Sequence, residues 1–201
     1  MTTPPPDAPR NPPPGTTDRR AFGRDARGRL PRRKLSALTT TGRDPLAVLA
    51  SQNATRVPEL VPLRAERMSA SVFAFYRGAA AVMAADLARD ASTGITVASC
   101  GDAHVANFGF YASPQRTLVF DLNDFDEAGW APWEWDLKRL VTSVVLAGHE
   151  TSRGDGVVRE AAAAAVRTYA RVLDRLVQRD PLTRYFEHFS PHALLDSYDP
   201  Q

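Results

Sequence analysis

Acidic and amide side chains alternate with large apolar ones between residues 101 and 136. They fall in three runs, at 101–109, 120–127 and 132–136, in which Asp, Asn and Glu stand beside Phe, Leu and Trp. Carboxylates are costly to hold close together in apolar surroundings unless a cation or hydrogen bonds compensate them. The pattern therefore predicts that this stretch folds around one polar site that serves a metal ion or a general base.

The composition predicts one domain in a reducing compartment. A chain of 201 residues with 43% hydrophobic residues is long enough for one domain with a core, with or without a tail. The single cysteine, Cys100, excludes a disulfide framework and favours a cytoplasmic location. No apolar run is long enough for a membrane span, and the N-terminus lacks the apolar segment of a secretory signal.

The basic charge is concentrated at the N-terminus. Residues 1–56 carry 11 basic and 4 acidic side chains, whereas the remaining residues carry 14 basic and 19 acidic ones. The folded part is therefore mildly acidic, which does not favour nucleic acid as a partner. Residues 1–42, rich in Pro and Arg, are predicted to be a disordered basic tail. A solvated tail is favoured here over a contact with nucleic acid or acidic lipid.

Residues 43–201 are predicted to form a helix-rich α+β domain. The predicted elements are a short helix from Asp44 to about Gln52, an extended connector at 57–62, a long helix from Ser69 or Ser71 to about Arg89, a strand at 95–99, a hairpin with strands at 107–111 and 117–121, a helix from Pro132 to about Gly148, and a third long helix ending near Arg179.

The segment 101–107 has the form GDxHxxN and lies between two predicted strands. A loop there can direct Asp102 and Asn107 to one point, with Asp102 accepting a hydroxyl proton and Asn107 binding a cation. The next strand ends in Asp121 and Asp124, and either can supply a second metal ligand. Hard oxygen ligands favour Mg²⁺ or Mn²⁺ over zinc. The alternative is a polar turn whose Asp and Asn side chains cap backbone groups.

Other residues of the acidic stretch have supporting roles. His104 is interpreted as orienting the loop, with metal ligation as the alternative, and Asp136 as a buried structural acceptor rather than a catalyst. Arg77 either holds a phosphate or forms a salt bridge with one of the acids. Cys100 is interpreted as a small buried apolar residue, because nothing in the sequence indicates a lowered pKa.

These motifs resemble the protein-kinase-like fold, in particular its aminoglycoside and choline phosphotransferase branch. That branch carries HGDxHxxN, and here Cys100 replaces its first histidine. The segment 124–128 is similar to the kinase Asp-Phe-Gly region with Asp126 in place of Gly, and 135–137 resembles the structural Asp-Leu of the branch. The resemblance implies a kinase C-lobe fold that uses ATP, Mg²⁺ or Mn²⁺ and a small hydroxyl substrate.

A closer resemblance is to family 2252 of bacterial domains of unknown function. The motifs that carry it are the segments 67–68, 73–78, 100–104, 107–109, 120–127 and 132–140. Val72 stands where the family usually has Pro. Members are about twice this length, and their C-terminal half resembles a kinase nucleotide lobe, which implies a circularly permuted kinase. The chain is thus expected to be an N-terminal half, and it contains no GxGxxG phosphate loop.

Three functions remain open from the sequence. The first is a kinase-like phosphotransferase whose nucleotide lobe is missing from this chain. The second is a metal-dependent phosphohydrolase that uses the same acids. The third is a non-catalytic binding or scaffold protein. Nucleotide dependence separates the first from the second, and metal binding separates both from the third.

Overall fold

Helices and small antiparallel sheets alternate along the chain, and a computed structural model describes residues 15–189. The α-helices are α1 Thr16–Arg29, α2 Pro45–Asn53, α3 Val61–Ser69, α4 Val72–Gly78, α5 Ala80–Leu87, α6 Glu134–Glu150, α7 Asp155–Val177 and α8 Pro181–Phe186. The strands are β1 Thr96–Ser99, β2 Phe108–Ala112, β3 Leu118–Leu122 and β4 Gly129–Pro132. The predicted helix-rich α+β class is confirmed. Residues 1–14 of the expected tail and 190–201 of the expected domain lie outside the described part.

The N-terminal segment differs from the predicted disorder where it is described. Helix α1 spans Thr16–Arg29, and the apolar side chains Phe22, Ala26 and Leu30 recur every four residues along it and at the residue that follows it. Ala26 and Leu30 are buried. This helical spacing is sparse among many arginines, which explains why composition alone indicated a tail.

Two features of the α2–α3 region test the predicted boundaries. Asp44 caps α2, since its Oδ1 accepts a hydrogen bond from the Ala47 amide at 2.9 Å, and Pro45 occupies the first turn.

The extended connector predicted at 57–62 is wrong. A short 3₁₀ turn at Pro58–Leu60 leads directly into α3, because proline is tolerated in the first turn of a helix, where its missing N–H has no intrahelical acceptor.

The long helix predicted from Ser69 or Ser71 to about Arg89 is divided into α4 and α5. Ser71 caps α4 by accepting a hydrogen bond from the Ala74 amide at 3.0 Å. The helix is interrupted at Ala79, whose φ of −113° and ψ of 35° are not helical. Ala79 then packs with Met68 and Val82 in a small apolar core.

Two antiparallel strand pairs position the polar loops. The predicted hairpin is confirmed as β2 paired with β3, with Phe108 opposite Leu122 and Ala112 opposite Leu118. Strand β1 pairs with β4, which was not predicted because its four residues show no alternating pattern. The β1–β4 pairing places the loop after β1 beside the segment between β3 and β4.

Helix α6 begins at Glu134, two residues after the predicted Pro132, and packs against α7. The Trp133 ring stacks on Tyr169 with a centroid separation of 6.1 Å. Three polar side chains of α6 are buried. Two of them, Arg139 and Ser143, contact the loop that follows β1. Within residues 15–189, no helix has both the length and the apolar character needed to cross a membrane.

Candidate functional site

The start of the loop after β1 is hydrogen-bonded to Asp136, in the first turn of α6. The two carboxylate oxygens of Asp136 accept hydrogen bonds from the backbone amides of Cys100 at 2.8 Å and Gly101 at 3.0 Å. Gly101 has a φ of +81°, and a Cβ placed on it would lie 2.0 Å from the carbonyl oxygen of Glu127. The loop is therefore fixed on one side to α6 and on the other to the segment between β3 and β4.

The side-chain carboxamide of Asn107 connects two polar segments, namely the loop after β1 and the segment between β3 and β4. Its Nδ2 donates to the backbone carbonyls of Asp102 and Asp124, both at 3.0 Å, and its Oδ1 accepts from the Asp124 amide at 2.9 Å. Asn107 is only 5% exposed. The side chain therefore caps backbone groups, which was one of the two sequence interpretations, and Oδ1 retains a second lone pair. Its role as a metal ligand stays a prediction.

Asp102 is paired with a buried cation. Its Oδ1 lies 2.6 Å from Nε and 2.5 Å from Nη2 of Arg139, a residue that is 2% exposed. The guanidinium also stacks over the Tyr76 ring, 4.4 Å from its centroid, and donates to the Tyr76 carbonyl at 2.9 Å. Arg139 thus contacts Oδ1 and leaves Oδ2 for other partners.

The sequence interpretation missed Arg139. A signal was present, because Arg139 follows the anchor residue Asp136 by three positions on a helix, and residues so spaced lie on the same face. Because Asp136 binds the start of the loop after β1, Arg139 on the same face of α6 also lies next to this loop. The neighbouring Lys138 is directed elsewhere, with its Nζ 4.0 Å from Asp90 Oδ2.

His104 lies beside the second oxygen of Asp102. Its Nε2 is 3.5 Å from Asp102 Oδ2, and its Nδ1 is buried without a hydrogen-bond partner in the described part of the chain. Burial is the main cause that lowers the pKa of His104; the Asp102 carboxylate opposes it, and the cations Arg139 and Arg77 lower the pKa further. His104 is therefore a neutral imidazole at neutral pH.

We expect the lowered pKa of His104 to make the protein less stable in mild acid. The unfolded chain binds a proton at His104 below about pH 6.5, whereas the folded chain resists it. This contribution to the free energy of unfolding is present above about pH 6.5 and is lost as the pH falls. Urea denaturation at neutral and at mildly acidic pH should show that the free energy of unfolding falls more steeply in the wild type than in His104→Gln. An equal fall in both proteins would contradict a lowered pKa of His104.

Asp121, within β3, and Asp124 and Asp126, which follow this strand, are exposed. Asp124 Oδ1 accepts from the Asp126 amide at 3.0 Å, and Asp121 Oδ1 accepts from the Leu122 amide at 2.8 Å. Between residues 15 and 189, no three His, Cys, Asp or Glu side chains are grouped so that they could hold a metal ion. A cation at Asp124 would therefore need amide, water or phosphate oxygens as its other ligands. Arg77 is also exposed, at the end of α4.

Cys100 is a buried residue that connects the loop after β1 to the segment between β3 and β4. It is buried, and burial is the main cause that raises the pKa of its thiol. Its Sγ lies 3.5 Å from the Asp124 carbonyl oxygen. A thiol with a raised pKa is a poor nucleophile at neutral pH, so Cys100 is assigned to the structure of the site.

The fold and the site define a helix-rich α+β protein that holds two polar segments together around Asn107 and an Asp–Arg pair. A family described as "Uncharacterized protein conserved in bacteria (DUF2252)" matches residues 56–199, most of the chain. The chain belongs to this family, as the sequence motifs predicted. No curated protein and no solved structure matches the chain.

Proposed function

We propose that the full-length protein transfers a phosphoryl group from ATP to a hydroxyl of a small substrate and requires Mg²⁺. The observation that carries the proposal is the carboxamide of Asn107, which binds the backbones of both Asp102 and Asp124. Phosphoryl transfer depends on positioning and charge neutralisation, and an Asp base, an Asn and a second Asp recur in kinase sites. The resemblance to kinases implies these three residue types in the same order along the chain, and the Asn107 carboxamide links the backbones of the two acids.

Asp102 is the base in this proposal. A base must present an unshared oxygen at hydrogen-bonding distance from the substrate hydroxyl. Because Arg139 Nε and Nη2 both contact Oδ1, Oδ2, which lies 3.5 Å from His104 Nε2, is the oxygen that the proposal assigns to the substrate hydroxyl. The side chain of Asp102 is 19% exposed, which leaves access for a substrate.

Asp124 is the first metal ligand in the proposal, and Asp121 is the alternative. Both carboxylates are exposed, and within the described residues only one oxygen of each accepts a hydrogen bond, from a nearby backbone amide. Asn107 Oδ1 and the phosphates of ATP would supply further oxygens, as is usual for Mg²⁺. The exposed guanidinium of Arg77 is available for a phosphate.

Replacing Asp124 by asparagine should weaken Mn²⁺ binding by at least about tenfold, because a charged oxygen ligand becomes neutral. Electron paramagnetic resonance titration, with and without a non-hydrolysable ATP analogue, measures this. The matched control is Asp174→Asn, which removes an exposed carboxylate from α7. Equal binding by Asp124→Asn and wild type would exclude Asp124, and the same titration of Asp121→Asn would then test the alternative ligand.

Turnover by the full-length protein distinguishes the three functions. ATP-dependent phosphorylation of a hydroxyl compound, lost in Asp102→Asn, supports the proposal. Phosphate release from a phosphomonoester without nucleotide would indicate a metal-dependent phosphohydrolase instead. Absence of Mn²⁺ binding in the presence of the ATP analogue would refute both activities and leave a binding or scaffold role.

A further inference from the structure

A cavity of about 170 Å³ lies between α5, β4 and α6, next to the polar loop. Its walls are mostly apolar and include Ala80, Ala84, Leu87, Trp130 and Trp135. Trp130 is 52% exposed, so part of the wall is open to solvent. Dry apolar cavities of roughly 150 Å³ accept a benzene-sized molecule, and this one has room for a single small ring.

Arg139 brings a polar group to the cavity wall. Its Nε and Nη2 donate to oxygen acceptors, on Asp102 and on the Tyr76 carbonyl. Within the described part of the chain, the partner of its Nη1 is the sulfur of Met83 at 3.8 Å, and Met83 also lines the cavity. A thioether is a weak acceptor. Nη1 therefore has a weak sulfur acceptor in place of an oxygen acceptor within the described residues, and both residues of this contact line the cavity.

We propose that this cavity binds a small, uncharged, mainly apolar molecule whose hydroxyl or carbonyl oxygen accepts a hydrogen bond from Arg139 Nη1. The apolar walls contact the body of the ligand, and the guanidinium fixes its one polar atom. An anion is disfavoured, because Asp102 already neutralises Arg139. The inference involves neither ATP nor a metal and does not depend on the proposed phosphoryl transfer.

Benzyl alcohol is a suitable probe because it combines one ring with one hydroxyl oxygen. Titrations followed by tryptophan fluorescence and by ligand-observed NMR, without nucleotide or metal, should show saturable binding. Toluene lacks the acceptor and should bind at least about tenfold more weakly, since hydrogen bonds to charged groups are the stronger ones. Benzoate should also bind more weakly because of its charge. Equal binding of toluene, or no binding of benzyl alcohol, would overturn the proposal.

Ala84→Leu places a larger side chain in the cavity and should abolish benzyl alcohol binding. Ala161→Leu, at an exposed position on α7, is the matched control and should bind as the wild type does. Should Ala84→Leu fail to fold by circular dichroism, Ala81→Leu fills the same cavity from the neighbouring position. Undiminished binding by a folded cavity-filling variant would place the ligand elsewhere and refute the proposed site.

Discussion

Arg139→Met is expected to lower the free energy of unfolding by about 3–5 kcal/mol, the range seen when one partner of a buried ion pair is removed. Arg139 is 2% exposed and lies within 2.6 Å of Asp102 Oδ1. The substitution leaves Asp102 largely buried without its cation. It also removes the donor to the Tyr76 and Arg77 carbonyls and the stacking over the Tyr76 ring. Urea denaturation followed by circular dichroism measures the change.

The exposed pair of Arg175 with Glu187 provides the control. Its nitrogen and oxygen are 2.8 Å apart, but the arginine side chain is 58% exposed. Arg175→Met should therefore cost less than about 1 kcal/mol. In the double variant Arg139→Met with Asp102→Asn, part of the loss should be recovered, because the unpaired carboxylate is gone. A loss at Arg139 no larger than that at Arg175 would show that the buried pair does not stabilise the fold.

Sequence patterns predicted the elements that have a strong local signal. Two short strand-like runs joined by turn residues predicted β2 and β3. Asp44 marked the start of α2, and Ser71, one of two candidate caps, marked the start of the long helix that is divided into α4 and α5. Strand β4 has four residues and exists through its pairing with β1, which is a tertiary contact. Helix α1 is stabilised by the burial of Ala26 and Leu30, and composition does not report burial.

In the candidate site, too, the residues could be predicted from local sequence, whereas the contacts between them depend on tertiary packing. The spacing of Asp102 and Asn107 within one loop, and the position of Asp124 after a strand, led to all three residues. Which atoms face each other could not be read from spacing. The Asn107 carboxamide is directed at the Asp124 backbone, 17 residues away, and Arg139 reaches Asp102 over 37 residues. Such contacts are set by how α6 and the two sheets pack.

Gly101→Ala is expected to destabilise the protein by about 3 kcal/mol or more. An alanine at a φ of +81° costs roughly 1–2 kcal/mol through backbone strain alone. Its Cβ would in addition lie 2.0 Å from the carbonyl oxygen of Glu127, which is backbone and cannot turn away. Either the loop after β1 or the segment after β3 must shift, at a further cost typical of overpacking.

Gly94→Ala separates the two contributions. Gly94 has a φ of +72° but no atom within 4 Å of the added Cβ, so this variant carries the backbone strain without the close contact. It should lose about 1–2 kcal/mol. A larger loss in Gly101→Ala, measured by thermal and urea unfolding, would report the contact between the two polar segments. Equal losses would show that the segments are not packed together, and Asp102 and Asp124 would then lack the shared support on which the proposed site depends.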